Sequence, residues 1–148
     1  MKNILFACAI ALLGFTSCSK DEQSTVDQAS YKVEISHTGD VPAFDEFINL
    51  TIFAENPDQV TVKGSSLNKG QGAGGFMTYS LTGTAQNRSF ETSNNVETVL
   101  VSDIFSKSGE GGKISTTVAI YKNGSLVKKK NIDYDGTGNN ILNIGSDE

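Results

Sequence analysis

From Ile114 to Tyr134 the chain reads ISTTVAIYKNGSLVKKKNIDY. Two runs, 114–121 and 126–134, flank Asn123-Gly124, a dipeptide whose tolerance of positive φ suits a tight hairpin turn. Two registers are open. A two-residue turn pairs Lys122 with Ser125 and sets Ile114 opposite Asp133. A three-residue loop, with Gly124 in the left-handed bulge position, pairs Ile120 with Leu126 and Ile114 with Ile132. The second keeps apolar side chains together across the ladder and is the preferred expectation. It leaves Lys128 and Lys130 facing Val118 and Thr116, and inward-pointing lysines discourage edge-to-edge pairing. Lys128-Lys129-Lys130 is therefore read as part of an edge strand rather than as a patch for anionic ligands.

The same period-two style runs through the rest of the chain. Tyr31, Val33, Ile35 and His37 alternate with Lys32, Glu34 and Ser36, a half-buried strand. Thr38 to Pro42 carries turn chemistry. Ile48, Leu50, Ile52 and Ala54 on one face, with Phe47 and Phe53 on the other, predict a central strand. Pro57 ends it, since proline cannot donate to a ladder. A short strand at 60–62 precedes a glycine-rich loop, Gly64 to Gly75. Segments 76–82 and 88–92 read as strands. Residues 96–105 are apolar on both faces, with Val99, Val101 and Phe105 in one row, and 141–144 read as a last short strand. No stretch has a convincing helical period. The expectation is all-β: a single antiparallel β-sandwich, immunoglobulin-like, of seven or eight strands across residues 31–146. No Trp and no Cys pair are present in that span, so the likeness to antibody domains stops at architecture.

The amino terminus has a different character. A basic start, Met1-Lys2-Asn3, leads into an apolar run from Ile4 to Phe15. That run is shorter than the ~20 residues needed to span a bilayer but suits the core of a secretory signal. Phe15-Thr16-Ser17-Cys18 resembles the bacterial lipobox, with Phe where Leu is usual. The resemblance implies that 1–17 is a signal peptide and that Cys18 carries covalent lipid. Lys20-Asp21-Glu22 resembles the export tag of surface lipoproteins in the Bacteroidota, which implies display on the outer face of the outer membrane. Residues 18–30 are polar and aperiodic and are read as a flexible tether.

Charge and cysteines narrow the function classes. The chain carries 17 acidic and 12 basic residues, a formal net charge of −5. Removing 1–17 takes away Lys2 and no acid, so the mature chain is more acidic still. Nucleic acid, which demands a basic footprint, is excluded as a partner. Attachment to a membrane has to rest on the acyl chains rather than on attraction to anionic lipids. The only cysteines are Cys8 and Cys18. With one lost in the signal and the other lipidated, the domain has no disulfide, thiol nucleophile or thiolate metal site.

Few side chains carry chemistry-grade patterns. His37 is the only histidine and is read as a structural or surface residue at a strand end, because no serine is assignable to it by spacing and no G-x-S-x-G elbow exists. Gly70 to Gly75 matches G-x-G-x-x-G, but the motif requires a following helix and here a strand is expected. Asp45-Glu46 is read as a solvated strand start, because neighbours in a strand point to opposite faces. The best metal candidate is Asp133, Asp135 and Asn139, with Thr137 between them and Gly138 in the sixth position of a calcium-type loop. Its twelfth position is Ile144 instead of a glutamate, and Asp-Gly and Gly-Asn are also ordinary turn residues.

These readings predict a lipid-anchored outer-membrane lipoprotein, exposed at the cell surface, acting as a non-catalytic binding or structural module. Its partners are the membrane, through the anchor, and a protein or glycan ligand. Recognition is expected on loops Thr38–Glu46, Gly64–Gly75 and Ser106–Lys113. The alternatives are a periplasm-facing envelope accessory, or a small hydrolase or inhibitor with carboxylates converging in a cleft.

Overall fold

The described residues form ten strands: β1 (Tyr31–Gly39), β2 (Phe44–Phe53), β3 (Val62–Gly64), β4 (Asn68–Lys69), β5 (Phe76–Thr82), β6 (Asn87–Thr92), β7 (Thr98–Lys107), β8 (Ile114–Lys122), β9 (Ser125–Tyr134) and β10 (Asn139–Gly145). They belong to a computed structural model that describes residues 27–64, 67–70, 72–110, 112–137 and 139–147. Cys18, Lys20, Asp21 and Glu22 lie outside the described residues, as does most of the expected tether. The folded chain starts slightly earlier than residue 31: Ala29 is buried and exchanges backbone hydrogen bonds with Val96, at 2.7 and 3.1 Å.

The strands form two five-stranded antiparallel sheets, in the orders β3-β6-β1-β8-β9 and β10-β7-β2-β5-β4. The sandwich expectation stands at the level of two packed antiparallel sheets, but seven or eight strands is corrected to ten. Two-residue β4 sits within the glycine-rich loop and is too short to show alternation. β10 pairs with β7 over seven residues, longer than the short strand expected. The five-plus-five arrangement gives no support to the immunoglobulin comparison, in which seven strands divide four and three.

The core lies between the sheets. From the first sheet come Tyr31, Val33, Ile35, Phe90, Val118 and Ile120; from the second come Ile48, Leu50, Ile52, Val99, Val101, Leu142 and Ile144. Each such side chain contributes roughly 1.5–3 kcal/mol when withdrawn from water. Tyr31 satisfies its hydroxyl by donating to the Glu97 carbonyl at 2.7 Å. β2 is the central strand of its sheet, as expected, and its outer face is only partly covered. There Phe53 packs on Phe76 at 6.1 Å between ring centroids.

The 114–134 hairpin follows neither expected register along its whole length. Asn123 and Gly124 form a two-residue turn with φ of 50° and 82°, pairing Lys122 with Ser125 and Tyr121 with Leu126. A bulge then shifts the ladder, so that Ile120 faces Lys128, Thr116 faces Ile132 and Ile114 faces Tyr134. The apolar-pairing argument failed because β9 is the outermost strand and much of it extends beyond cover: Leu126 and Val127 are 54% and 42% exposed. What the bulge achieves is to bring Tyr134 into the core beside Phe44, at 5.5 Å. The turn is pinned to the start of β1 by Asn123, whose side chain accepts from the Ser30 amide at 3.0 Å. β9 is an edge strand, as its lysines suggested. Lys130 reaches across to donate to the Asn143 carbonyl of β10 at 3.0 Å, tying the edges of the two sheets together.

Candidate functional site

At one level of the sandwich the apolar core is interrupted by polar side chains. On β8, Thr116 stands between Ile114 and Val118; on β2, Glu46 stands between Phe44 and Ile48; on β7, Asp103 stands between Val101 and Phe105. On β1, His37 follows Ile35. All four are buried, at 1%, 3%, 0% and 1% exposure for His37, Glu46, Asp103 and Thr116. Beyond this polar tier lies a second, smaller apolar cluster of Ala43, Phe44, Phe105, Ile114 and Tyr134.

The tier is held by specific contacts. His37 Nδ1 and Thr116 Oγ1 are 2.9 Å apart, and the imidazole meets the Phe105 ring edge-on at 5.4 Å. Arg88 on β6 reaches in so that Nε donates to Glu46 Oε2 at 3.2 Å, while its outer nitrogen donates to the Gly83 carbonyl. His37 Nε2 lies 2.8 Å from Glu46 Oε1, yet the two are not aligned for a hydrogen bond, and neither has another partner. Asp103 likewise has no hydrogen-bond partner outside this cluster, and within it the Glu46 carboxyl is the group that meets it. Burial, reinforced by the neighbouring Glu46 carboxylate and opposed by Arg88, pushes the Asp103 pKa up to about 8. One donor atom from each of His37, Glu46 and Asp103 lies within 4.8 Å of the others.

Asp45-Glu46 is thus corrected. Only Asp45 is exposed, while Glu46 points into the core. Adjacent strand residues do face opposite ways, but the charged partners that make an inward Glu tolerable come from distant strands. Glu46 and Asp103 were legible in one respect, since each falls in phase with an apolar row. His37 is in phase with Tyr31, Val33 and Ile35.

The same end of the sandwich gathers several loops. Asp40 donates its amide to the Lys113 carbonyl at 2.9 Å and accepts from the Gly112 amide at 3.2 Å. Ser108 and Gly109 donate to the Ala43 carbonyl at 3.0 and 3.1 Å. Loops 38–46 and 106–113 are therefore brought together, whereas the described part of 64–75 runs along the flank between β3 and β5. Gly70 donates to the Thr78 carbonyl there at 2.8 Å, and the following element is a strand, not the helix a dinucleotide loop requires.

The calcium candidates lie at the gathered end. Asp133 and Asp135 are exposed on either side of buried Tyr134. Both line an open hollow of about 410 Å³ together with Lys113, Tyr134, Thr137 and Asn140. The hydroxyl and amide of Thr137 donate to Asp135 Oδ1 at 2.9 and 3.3 Å, and they hold the Asp135 carboxyl below its usual range. The backbone of Asn139 opens β10. Ile144, in the twelfth position, is in the core and offers no ligand. A larger hollow of about 670 Å³ lies over the first sheet, lined among others by Glu34, Ser36, Arg88, Tyr121 and Lys129.

A small two-sheet β domain with an acidic loop end and a buried polar tier is the class these features define. The chain belongs to the PLCC family, the PLAT/LH2 and C2-like Ca2+-binding lipoproteins, whose pattern matches residues 1–143. Among curated proteins, none matches. Solved structures share the fold. A domain of unknown function, DUF4425, from Bacteroides vulgatus has a TM-score of 0.62 at 17% identity, over 80% of this chain and 94% of that one. A DUF4425 family protein from Bacteroides ovatus has a TM-score of 0.58 at 13% identity, again over 80% and 94%. The calcium-bound form of a protein from Parabacteroides distasonis, an NMR structure, has a TM-score of 0.55 at 17% identity, over 85% and 98%.

Proposed function

We propose that this lipoprotein is anchored in the outer membrane through lipid on Cys18, is displayed at the cell surface by Lys20-Asp21-Glu22, and serves as a calcium-dependent, non-catalytic binding module. Asp133 and Asp135 supply calcium ligands; the side chain of Asn139, the third candidate, lies outside the described residues. The observation that carries this reading is the pair of exposed carboxylates opening onto one hollow, with Asp135 kept ionised by Thr137 as a cation ligand must be. The family's description and the calcium-bound neighbour from Parabacteroides distasonis support it. The cation seats in the hollow between the β9–β10 connection and Lys113 and orders the neighbouring loops 38–46 and 106–113 for a protein or glycan ligand. A binding role is favoured over hydrolysis because Asp103, whose pKa is pushed up to about 8, lies at 0% exposure and lines neither hollow.

Display is tested by protease treatment of intact cells, comparing the natural chain with one in which Lys20, Asp21 and Glu22 are all Ala. Digestion of the first and protection of the second is the expected result. Protection of both would place the domain on the periplasmic side, as an envelope accessory.

A further inference from the structure

We propose that His37 Nε2, Glu46 Oε1 and the Asp103 carboxylate form a buried site for a divalent transition-metal ion of the zinc type, joining the two sheets from inside. The site is separate from the calcium ligands and does not depend on them.

Four observations converge. The first is the sorting of partners. Every donor atom facing away from the common point is already held: Nδ1 of His37 by Thr116, and Oε2 of Glu46 by Arg88. The atoms facing it, namely His37 Nε2, Glu46 Oε1 and the oxygens of Asp103, have no hydrogen-bond partner beyond one another. Metal-binding histidines commonly donate their other ring N–H to an outer partner, which fixes the tautomer and aims the lone pair. The His37–Thr116 contact has this form.

The second is the approach of Nε2 to Oε1, 2.8 Å without hydrogen-bond alignment. At 2.8 Å the two atoms are closer than two ligands of one tetrahedral ion, and an ion between them would part them slightly. The three donor atoms lie within 4.8 Å; bonds of ~2.0–2.1 Å in a tetrahedral zinc site place ligand atoms ~3.4 Å apart. Small side-chain rotations span that difference.

The third is charge. Asp103 at 0% exposure has no cation of its own, because Arg88 is bonded to Glu46, and a buried acid cannot ionise cheaply without one. An ion at the common point takes the place of the proton that Asp103 otherwise holds and supplies that counter-charge.

The fourth is the donor set. One imidazole nitrogen with carboxylate oxygens suits zinc, whereas calcium takes six to eight oxygens. His37, Glu46 and Asp103 supply three protein ligands and leave a fourth position for a further oxygen. His37 comes from the first sheet and Glu46 and Asp103 from the second, so the ion would brace a sandwich whose described residues contain no cysteine.

The test uses the full chain in detergent, unfolded with chelator and refolded with or without one equivalent of zinc chloride. Elemental analysis after gel filtration should find one zinc per chain, with a raised melting temperature. Because His37 is the only histidine, its ring 15N signals report directly, and the Nε2 signal should move on zinc addition. Asp103→Asn, which preserves shape and removes a buried acid, should bind zinc at least about tenfold more weakly, while Asp135→Asn should bind it as the natural chain does. Zinc that is not retained, zinc retained with the imidazole signals unmoved, or equal retention by Asp103→Asn would each overturn the proposal. Loss of calcium binding by Asp135→Asn with zinc retained would separate the two sites.

Discussion

Asp103→Asn should remove most of the pH dependence of stability between about pH 5 and 8, measured with chelator present. The Asp103 pKa is pushed up to about 8 in the folded chain, from an ordinary value of 3.8. Between those values the folded state holds a proton that the unfolded chain has released. Stability is then greatest at the acid side of the window and falls as pH rises, at up to about 1.4 kcal/mol per pH unit. Glu46 and Arg88 act on Asp103 in opposite senses, and His37 lies beside it. The net loss from pH 5 to 8 is therefore on the order of 2–4 kcal/mol. Glu34 and Asp135, whose pKa values are lowered, titrate below this window and do not confuse it. Urea unfolding at pH 5, 6, 7 and 8 measures the slope for both chains. A natural chain with flat stability, or an Asn variant with a parallel slope, would refute the account of the tier.

Other perturbations follow from burial and backbone geometry. Arg88→Ala leaves Glu46 buried without its cationic partner and should cost about 3–5 kcal/mol by urea unfolding. Leu50→Ala, at 0% exposure in the central strand, should cost about 2–5 kcal/mol, read the same way. Gly39→Ala meets a φ of +97° and would drive its Cβ into the Lys113 carbonyl; a melting-temperature drop corresponding to more than about 1 kcal/mol is expected. Changing Lys128 and Lys130 together to Val removes the charges guarding the β9 edge and should produce concentration-dependent association in analytical ultracentrifugation.

Much of the fold was legible in period-two patterns, because burial on one face of a strand leaves a direct mark on sequence. β5 matches its expected bounds, 76–82, at both ends. β2 was identified as central from apolar residues on both faces. The hairpin register was not legible, because pairing by apolarity assumes that both strands are covered, and β9 is an edge. The polar tier was missed for a related reason. Glu46 reads with its neighbour Asp45 as a surface pair, although its phase with Ile48, Leu50 and Ile52 points inward. Asp103 shares a row with Val99, Val101 and Phe105 in the same way. Neither row reveals which strands from the opposite sheet supply His37, and Arg88 arrives from a fourth strand. The calcium candidates were legible as spacing alone. That Asp133 and Asp135 share a hollow with Lys113 required the fold.

The most direct measurement of the calcium-dependent module is a calcium titration of the 15N-labelled full chain, followed by amide chemical shifts. The account predicts saturable shifts centred on residues 133–140 and spreading to 39–44 and 107–113, all lost in an Asp133→Asn, Asp135→Asn double variant. Unmoved amides at millimolar calcium, or shifts confined to the opposite end around Asn123 and Asp147, would contradict it.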